Sequence, residues 1–286
     1  MKRPPRPEPA VPARPAGSPS LARLQDGAVV AAQAAGNHAW VHGVRRTEVV
    51  RTFAHDVKLK LDQECQTVAE RVIRSRFPTH HILGEESAAE RAPTPDAGAY
   101  EWVIDPIDGT VNFSHGLPFW CRSVAVRQGA TVLAGAVYAP VLKELYTAVR
   151  GGPALCNGEP IHVSATRRLS AALVMTGLDK APDPRLPSLA VFRALANAVQ
   201  KTRVMGSAAL DICRVASGQA DGYFETGIYV WDISAAGLIV ERAGGRTEIL
   251  REFGGHRLAF LASNGALHTA LRRAIAAPAG PGSRGA

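Results

Sequence analysis

Apolar and polar positions recur with two different periods along this chain, and each change of period marks an element. Residues 20–43 carry the apolar stripe of an amphipathic helix. From Asp62 onward, Cys65, Val68, Ala69, Val72, Ile73 and Phe77 return at helical spacing until Pro78 stops the run. Strand-like stretches follow: "HHIL", ending at Gly84 with Glu85 and Glu86 just beyond, and "WVID", whose last residue is Asp105. The runs "RSVAVRQGATVLAGAVYAP" and "KELYTAVRGGPALCNGEPI" predict hairpin strands, with turns at Gln128-Gly129, Gly151-Gly152 and Asn157-Gly158. After "ALVMT", a helix near residues 185–201 leads to a strand "TRVMG". A helix from Ser207, a strand "DGYFE" and a helix from about Asp232 complete the pattern. This mixed order predicts layered α and β structure rather than a regular βαβ series.

Both ends lack a pattern. Residues 1–20 are dense in proline and poor in bulky apolar groups, which predicts a disordered or polyproline-like leader. Residues 277–286 predict a tail of the same kind, leaving 21–276 as the folded domain.

Composition changes this picture little. Of 286 residues, 46% are apolar and 20% charged, ordinary values for a soluble globular chain. No apolar run reaches the ~20 residues of a membrane span, and the start lacks a signal-peptide core. Cys65, Cys121, Cys156 and Cys213 are scattered without zinc spacing. They predict reduced thiols in a cytoplasmic protein rather than a disulfide framework. The net charge of +8 points towards nucleic acid at first sight. Much of it, however, sits at Lys2, Arg3, Arg6 and Arg14 and at Arg272, Arg273 and Arg284, without interleaved aromatics. A mildly basic surface with no nucleic-acid role is the expectation, and a non-catalytic protein using its basic tails on RNA or an acidic partner is the alternative.

The chemistry gathers in "EWVIDPIDGTVNF", where Asp105 and Asp108 stand three positions apart. Between Ala92 and Cys121 no lysine or arginine neutralises them. Four acidic positions, Glu85, Asp105, Asp108 and Asp232, fall just past predicted strand ends, where ligand sites gather in α/β sheets. Carboxylates brought together repel unless a cation or a shared proton relieves them. Hard oxygen ligands favour magnesium or calcium over zinc. Each residue alone has a plainer reading. "DPIDGT" serves as a tight turn, Asp232 as a helix N-cap, and Glu85-Glu86 as a solvated acidic pair. Together, in this order, they predict a site.

"WVIDPIDGTVNF" resembles the first signature of the inositol monophosphatase family, and "WDISAAGLIVERAGG" (Trp231 to Gly245) resembles the second. "GEES" supplies the upstream glutamate, and "GSAALDICRVASGQADGYFE" is similar to the segment between the signatures. The likeness spans roughly residues 25 to 275. It implies an αβαβα sandwich of the sugar-phosphatase type and a magnesium-dependent, lithium-sensitive phosphomonoesterase, a dimer in this family. It also implies two to three Mg2+ per site: Glu85, Asp105 and the Ile107 carbonyl for one ion, and Asp105, Asp108 and Asp232 for another. A weaker third would sit by Glu85. The Gly109 and Thr110 N–H groups would bind phosphate. Thr110, with Asp56 behind it and Glu85 among the catalytic residues, would activate water. Asp108, Ala208, Glu225 and Asp232 would contact substrate.

Glu225 favours myo-inositol 1-phosphate or a close polyol phosphate. Fructose 1,6-bisphosphate, 3′-phosphoadenosine 5′-phosphate and histidinol phosphate are rival substrates within the same superfamily. Two departures from the family pattern stand out. "DVKLKLD" keeps the Asp56 to Asp62 spacing but replaces threonines with leucine and lysine, and Ser234 takes a place usually held by alanine or cysteine.

Overall fold

Helix α1 (Leu21–Val41) starts where Ser20 Oγ accepts the Arg23 N–H at 3.1 Å, and it buries a stripe of small residues from Ala28 to Ala39. Strands β1 (Val49–Thr52) and β2 (Val57–Leu59) pair antiparallel and feed α2 (Lys60–Arg76). The computed structural model describes residues 18–52, 57–88, 96, 98–178 and 188–276. Most of the expected leader, the tail, Asp56 and residues 179–187 lie outside them.

After α2 come β3 (His81–Gly84), β4 (Tyr100–Asp108) and the short helix α3 (Thr110–Ser114). Five antiparallel strands follow: β5 (Cys121–Gln128), β6 (Thr131–Ala139), β7 (Glu144–Val149), β8 (Ala154–Cys156) and β9 (Glu159–Pro160). Strands β3 to β9 lie side by side in chain order as a seven-stranded sheet whose β3–β4 pair alone is parallel.

The remainder builds a second sheet. Its elements are β10 (Leu173–Thr176), α4 (Ser188–Ala198), β11 (Lys201–Arg203), α5 (Ala208–Ala216), β12 (Gly222–Tyr229), α6 (Val230–Arg242), β13 (Arg246–Gly254), β14 (Arg257–Ser263) and α7 (His268–Ala276). The strand order is β11-β10-β12-β14-β13.

Period-two alternation sorts the layers. On β4, Trp102 and Ile104 join the core under α1 and α2, whereas Val103 joins the core of α5 and α6. On β12, Tyr223 faces that same middle core, and Phe224 turns outward to α4 and α7. The result is the expected αβαβα sandwich, with α5 and α6 between the sheets. Every odd-numbered position of β4 up to Asp105, and of β12 up to Glu225, therefore points into the middle layer.

Three boundaries differ from expectation. Strand β4 continues past Asp105 to Asp108, β12 runs four residues beyond Glu225, and "TRVMG" yields only the three-residue β11. Strand β13 is largely half-exposed, whereas β14 is buried from Leu258 to Ser263 and α7 turns His268, Leu271 and Ile275 inward at helical spacing. All four cysteines are free, and Cys65, Cys121 and Cys213 are buried. Among the described residues no helix is long and apolar enough to cross a membrane.

Candidate metal centre

Residues three apart on a regular strand point to opposite faces, so Asp105 and Asp108 should diverge. A bulge prevents this. Asp105 pairs with Ser123 and Asp108 with Cys121, so three steps on β4 match two on β5. The extra residue returns both carboxylates to the middle layer, and Pro106 sits in the bulge, where a strand tolerates a missing N–H. The "DPIDGT" run is thus a bent strand rather than a tight turn. The two aspartates lie inside β4, not past its end.

Gly109 then turns the chain into α3 with φ +89°, a conformation that strains any side chain. Space also demands glycine there: a Cβ would lie 3.0 Å from the Gly206 carbonyl oxygen. Thr110 opens α3 and donates its hydroxyl to the Ile107 carbonyl at 2.8 Å. Asp232 is the third residue of α6, and its Oδ2 accepts the Tyr229 N–H at 2.8 Å. That bond caps the helix, and the helix dipole favours the negative charge there. One carboxylate therefore does the capping work and also faces the site.

Carboxylate oxygens of Asp105, Asp108 and Asp232 lie within 4.8 Å of one another. Glu85, in a single 3-10 turn (Glu85–Ser87) after β3, lines the same cavity of about 530 Å³. Thr110, Ala208 and Glu225 line it too.

Among the described residues no lysine or arginine pairs with Asp105, Asp108 or Asp232. Burial pushes the Asp105 carboxyl well up, and the charges of Glu85, Asp108 and Asp232 push it further. Burial likewise raises Glu85, aided by Asp232. Burial and the Asp108 charge take Asp232 to about 8. Asp105 Oδ1 is buried with no hydrogen-bond partner. An unpartnered buried oxygen among crowded carboxylates, in an all-oxygen donor set, fits a hard divalent ion.

Asp108 differs from its neighbours. Its Oδ2 accepts Ser207 Oγ at 2.6 Å, the Ala209 N–H at 2.8 Å and Cys121 Sγ at 3.3 Å, and its Oδ1 accepts the Ala208 N–H at 2.9 Å. It clamps the first turn of α5 from another sheet, which commits the Ala208 N–H to Asp108. Cys121 lies outside both signatures, yet folding brings it onto this carboxylate.

Glu225 sits in mid-strand rather than at a strand end. Its carboxylate accepts the buried Tyr223 hydroxyl and rests against Gly177, where a Cβ would come within 2.1 Å of it.

Two carboxylates escaped the sequence reading as site residues. Asp211 on α5 is 2% exposed, lines the cavity and leaves Oδ1 unpartnered; its isolation in "AALDIC" was the available signal. Asp62 is equally buried, accepts the Leu59 N–H on Oδ2 at 2.8 Å and leaves Oδ1 unpartnered. Burial raises Asp62 to about 7, and its charge acts on Glu85.

Comparison with known proteins agrees with this geometry. The model of the "Inositol monophosphatase family" matches residues 23–277. "Nus factor SuhB" of Pasteurella multocida is 39% identical over 221 residues, 76% of this chain and 82% of that protein. "Inositol monophosphatase" of Mesembryanthemum crystallinum is 37% identical over 193 residues, 66% of this chain and 72% of that one. The solved structure of inositol monophosphatase from Anabaena (Nostoc) superposes with a TM-score of 0.77 at 34% identity, covering 89% of this chain and 96% of its own.

Proposed function

The chain belongs to the inositol monophosphatase family, a family of metal-dependent phosphatases, and from that premise we propose that it hydrolyses myo-inositol 1-phosphate or a close polyol phosphate with magnesium. One observation carries the reading: three carboxylates converge within 4.8 Å, and Asp105 Oδ1 among them is buried without a partner.

In this reading Glu85, Asp105 and the Ile107 carbonyl hold one Mg2+, and Asp105, Asp108 and Asp232 a second; a third, weaker ion belongs by Glu85. When bound, the ions supply positive charge for the phosphate oxygens and for the leaving alkoxide. The chain's own groups do the rest. Backbone N–H groups of Gly109 and Thr110, at the entry to α3, bind phosphate oxygens. The Thr110 hydroxyl donates a hydrogen bond to the Ile107 carbonyl, which leaves lone pairs on its oxygen to accept from and orient the attacking water. Asp56, on the run that leads into α2, takes the water proton onward. Glu225 accepts hydrogen bonds from ring hydroxyls, and the Tyr223 hydroxyl fixes its orientation. Ala208 adds apolar surface at the cavity wall. Lithium sensitivity and a homodimer belong to the same proposal.

Phosphate release from a panel of phosphomonoesters tests it. Inositol 1-phosphate should be preferred over fructose 1,6-bisphosphate, 3′-phosphoadenosine 5′-phosphate and histidinol phosphate, and chelator should abolish turnover. Turnover that survives chelation, or a stronger response to a rival ester, rejects the magnesium or the inositol part respectively.

A further inference from the structure

The cavity wall built by the second sheet holds its acid in a slot. Strand β10 pairs parallel with β12, and its last residue, Thr176, stands opposite Phe224. The next position on each strand brings Gly177 beside Glu225. Cross-strand neighbours of this kind normally press side chain against side chain. On the β14 side Glu225 has such a neighbour in Phe260. On the β10 side residue 177 offers only backbone.

The Glu225 carboxylate fills that gap. A Cβ at 177 would lie 2.1 Å from Glu225 Cδ and 2.2 Å from each carboxylate oxygen, so glycine alone fits while the acid keeps this pose. Two further bonds fix the arrangement. The Thr176 hydroxyl donates to the Phe224 carbonyl at 2.5 Å and ties the end of β10 to β12. The Tyr223 hydroxyl, on a fully buried ring two residues before the acid, donates to the Glu225 carboxylate. Glu225 itself is half-buried, and Thr176, Gly177 and Glu225 all line the cavity. The acid therefore lies against the backbone of its neighbour instead of standing out into the space beside it.

We propose that Gly177 is the positioning residue that sets selectivity for polyhydroxylated alcohols: the space left by its absent side chain seats the Glu225 carboxylate, which Tyr223 orients towards the ring hydroxyls of the substrate. A side chain at 177 displaces the end of a flexible glutamate and leaves the backbone where it is. The displaced carboxylate gives up the Tyr223 bond and moves into the room the ring needs. Asp105 and Asp108 on β4 and Asp232 on α6 take no part in that movement. This inference rests on the reading of Glu225 as the ring-hydroxyl acceptor.

Kinetics of the full chain in magnesium on two substrates test it. Gly177→Ala should lower kcat/KM for inositol 1-phosphate by about tenfold to a hundredfold, mainly through KM, the loss expected when a charged acceptor is taken from a hydroxyl. An aryl phosphate without ring hydroxyls should lose far less, so the ratio of the two kcat/KM values falls at least about tenfold. Gly177→Ala/Glu225→Asp, whose shorter acid clears the added methyl group, should recover part of that ratio. The double variant also serves if Gly177→Ala alone fails to fold, because relief of the contact should then restore the fold. A double variant better than Gly177→Ala in neither ratio nor Tm makes the glycine a backbone requirement and overturns the inference. Equal losses on both substrates do the same. A ratio that falls in Glu225→Gln but holds in Gly177→Ala overturns this inference alone; a ratio unchanged in Glu225→Gln overturns the reading of Glu225 with it.

Discussion

Two acidic clusters lie within reach of α2, and their carboxyls shift in opposite directions. At the surface, Glu64 accepts Arg45 Nη2 at 2.7 Å and Nη1 at 3.1 Å and meets His38 Nε2 at 3.0 Å. Arg45 also grips Glu48 with Nε at 3.0 Å and Nη2 at 2.9 Å. The Arg45 bond, then the His38 bond, hold Glu64 down at about 2. In the cavity, burial and mutual repulsion push Glu85, Asp105 and Asp232 upward instead. The surface cluster is closed by the chain's own cations, whereas the cavity cluster is left open on the side that faces solvent and ligand. Opposite shifts in one residue type thus separate a structural ion network from a site that waits for external charge.

The strongest way to break this contrast is Asp105→Asn. It should cut phosphate release about a thousandfold or more, the several kcal/mol that a correctly held ion contributes. The metal-free variant should melt higher than wild type, because one buried repulsive charge is gone. Glu64→Gln should leave turnover untouched. Near-normal turnover by Asp105→Asn in magnesium would make the cavity cluster as structural as the surface one.

Stability against pH sharpens the same contrast. Asp62 is raised from 3.8 to about 7, so the folded state binds the extra proton; its contribution is full below about pH 4 and is lost as pH rises through 7. That change is on the order of a few kcal/mol. Glu64 is depressed, so its contribution is present above about pH 4.5 and is lost as pH falls towards 2. In metal-free protein, Asp62→Asn should flatten the fall in Tm between pH 4 and 7, and Glu64→Gln the fall on the acid side. Identical profiles for both variants would erase the distinction.

Glu225→Gln probes the far wall of the cavity. A charged acceptor to a hydroxyl contributes about 1.5–3 kcal/mol, so kcat/KM for inositol 1-phosphate should drop roughly tenfold to a hundredfold. An aryl phosphate without ring hydroxyls should barely respond. Equal losses on both substrates would move Glu225 into the folding or metal machinery. The smallest effect belongs to the surface network: Glu64→Gln should cost at most about 1 kcal/mol at neutral pH, and less in high salt. A larger loss would mean the network supports the fold more than its exposure allows.

The sequence showed the cavity acids more clearly than it showed how the chain delivers them. Asp105, Asp108 and Asp232 stood out because charge is rare in their apolar surroundings. The bulge that aligns the first two stayed hidden, since Pro106 reads as a strand terminator until the partner strand is known. Asp62 was unreadable for a related reason, since its burial arises from α2 meeting a distant sheet; Asp211 left only its isolation in "AALDIC" as a trace. Strand β13 was missed because it is half-exposed along most of its length, whereas β14, buried from Leu258 to Ser263, was legible as the apolar run "RLAFLAS". Asp56 and nearly all of the leader lie outside the described residues, so the roles expected of them stand as proposals.

The Asp108 clamp bears on when during synthesis the enzyme comes into being. It joins residues 99 to 101 positions apart, so it closes a long loop and forms late in folding. Glu85, Asp105 and Asp108 leave the ribosome well before Ser207, Ala208 and Ala209, and Asp232 follows later still. An unfinished chain therefore carries three of the acids but has no cavity to hold them together. Ion capture and turnover must begin only after nearly the whole polypeptide has emerged, which shields the nascent chain from binding metal in a half-built arrangement.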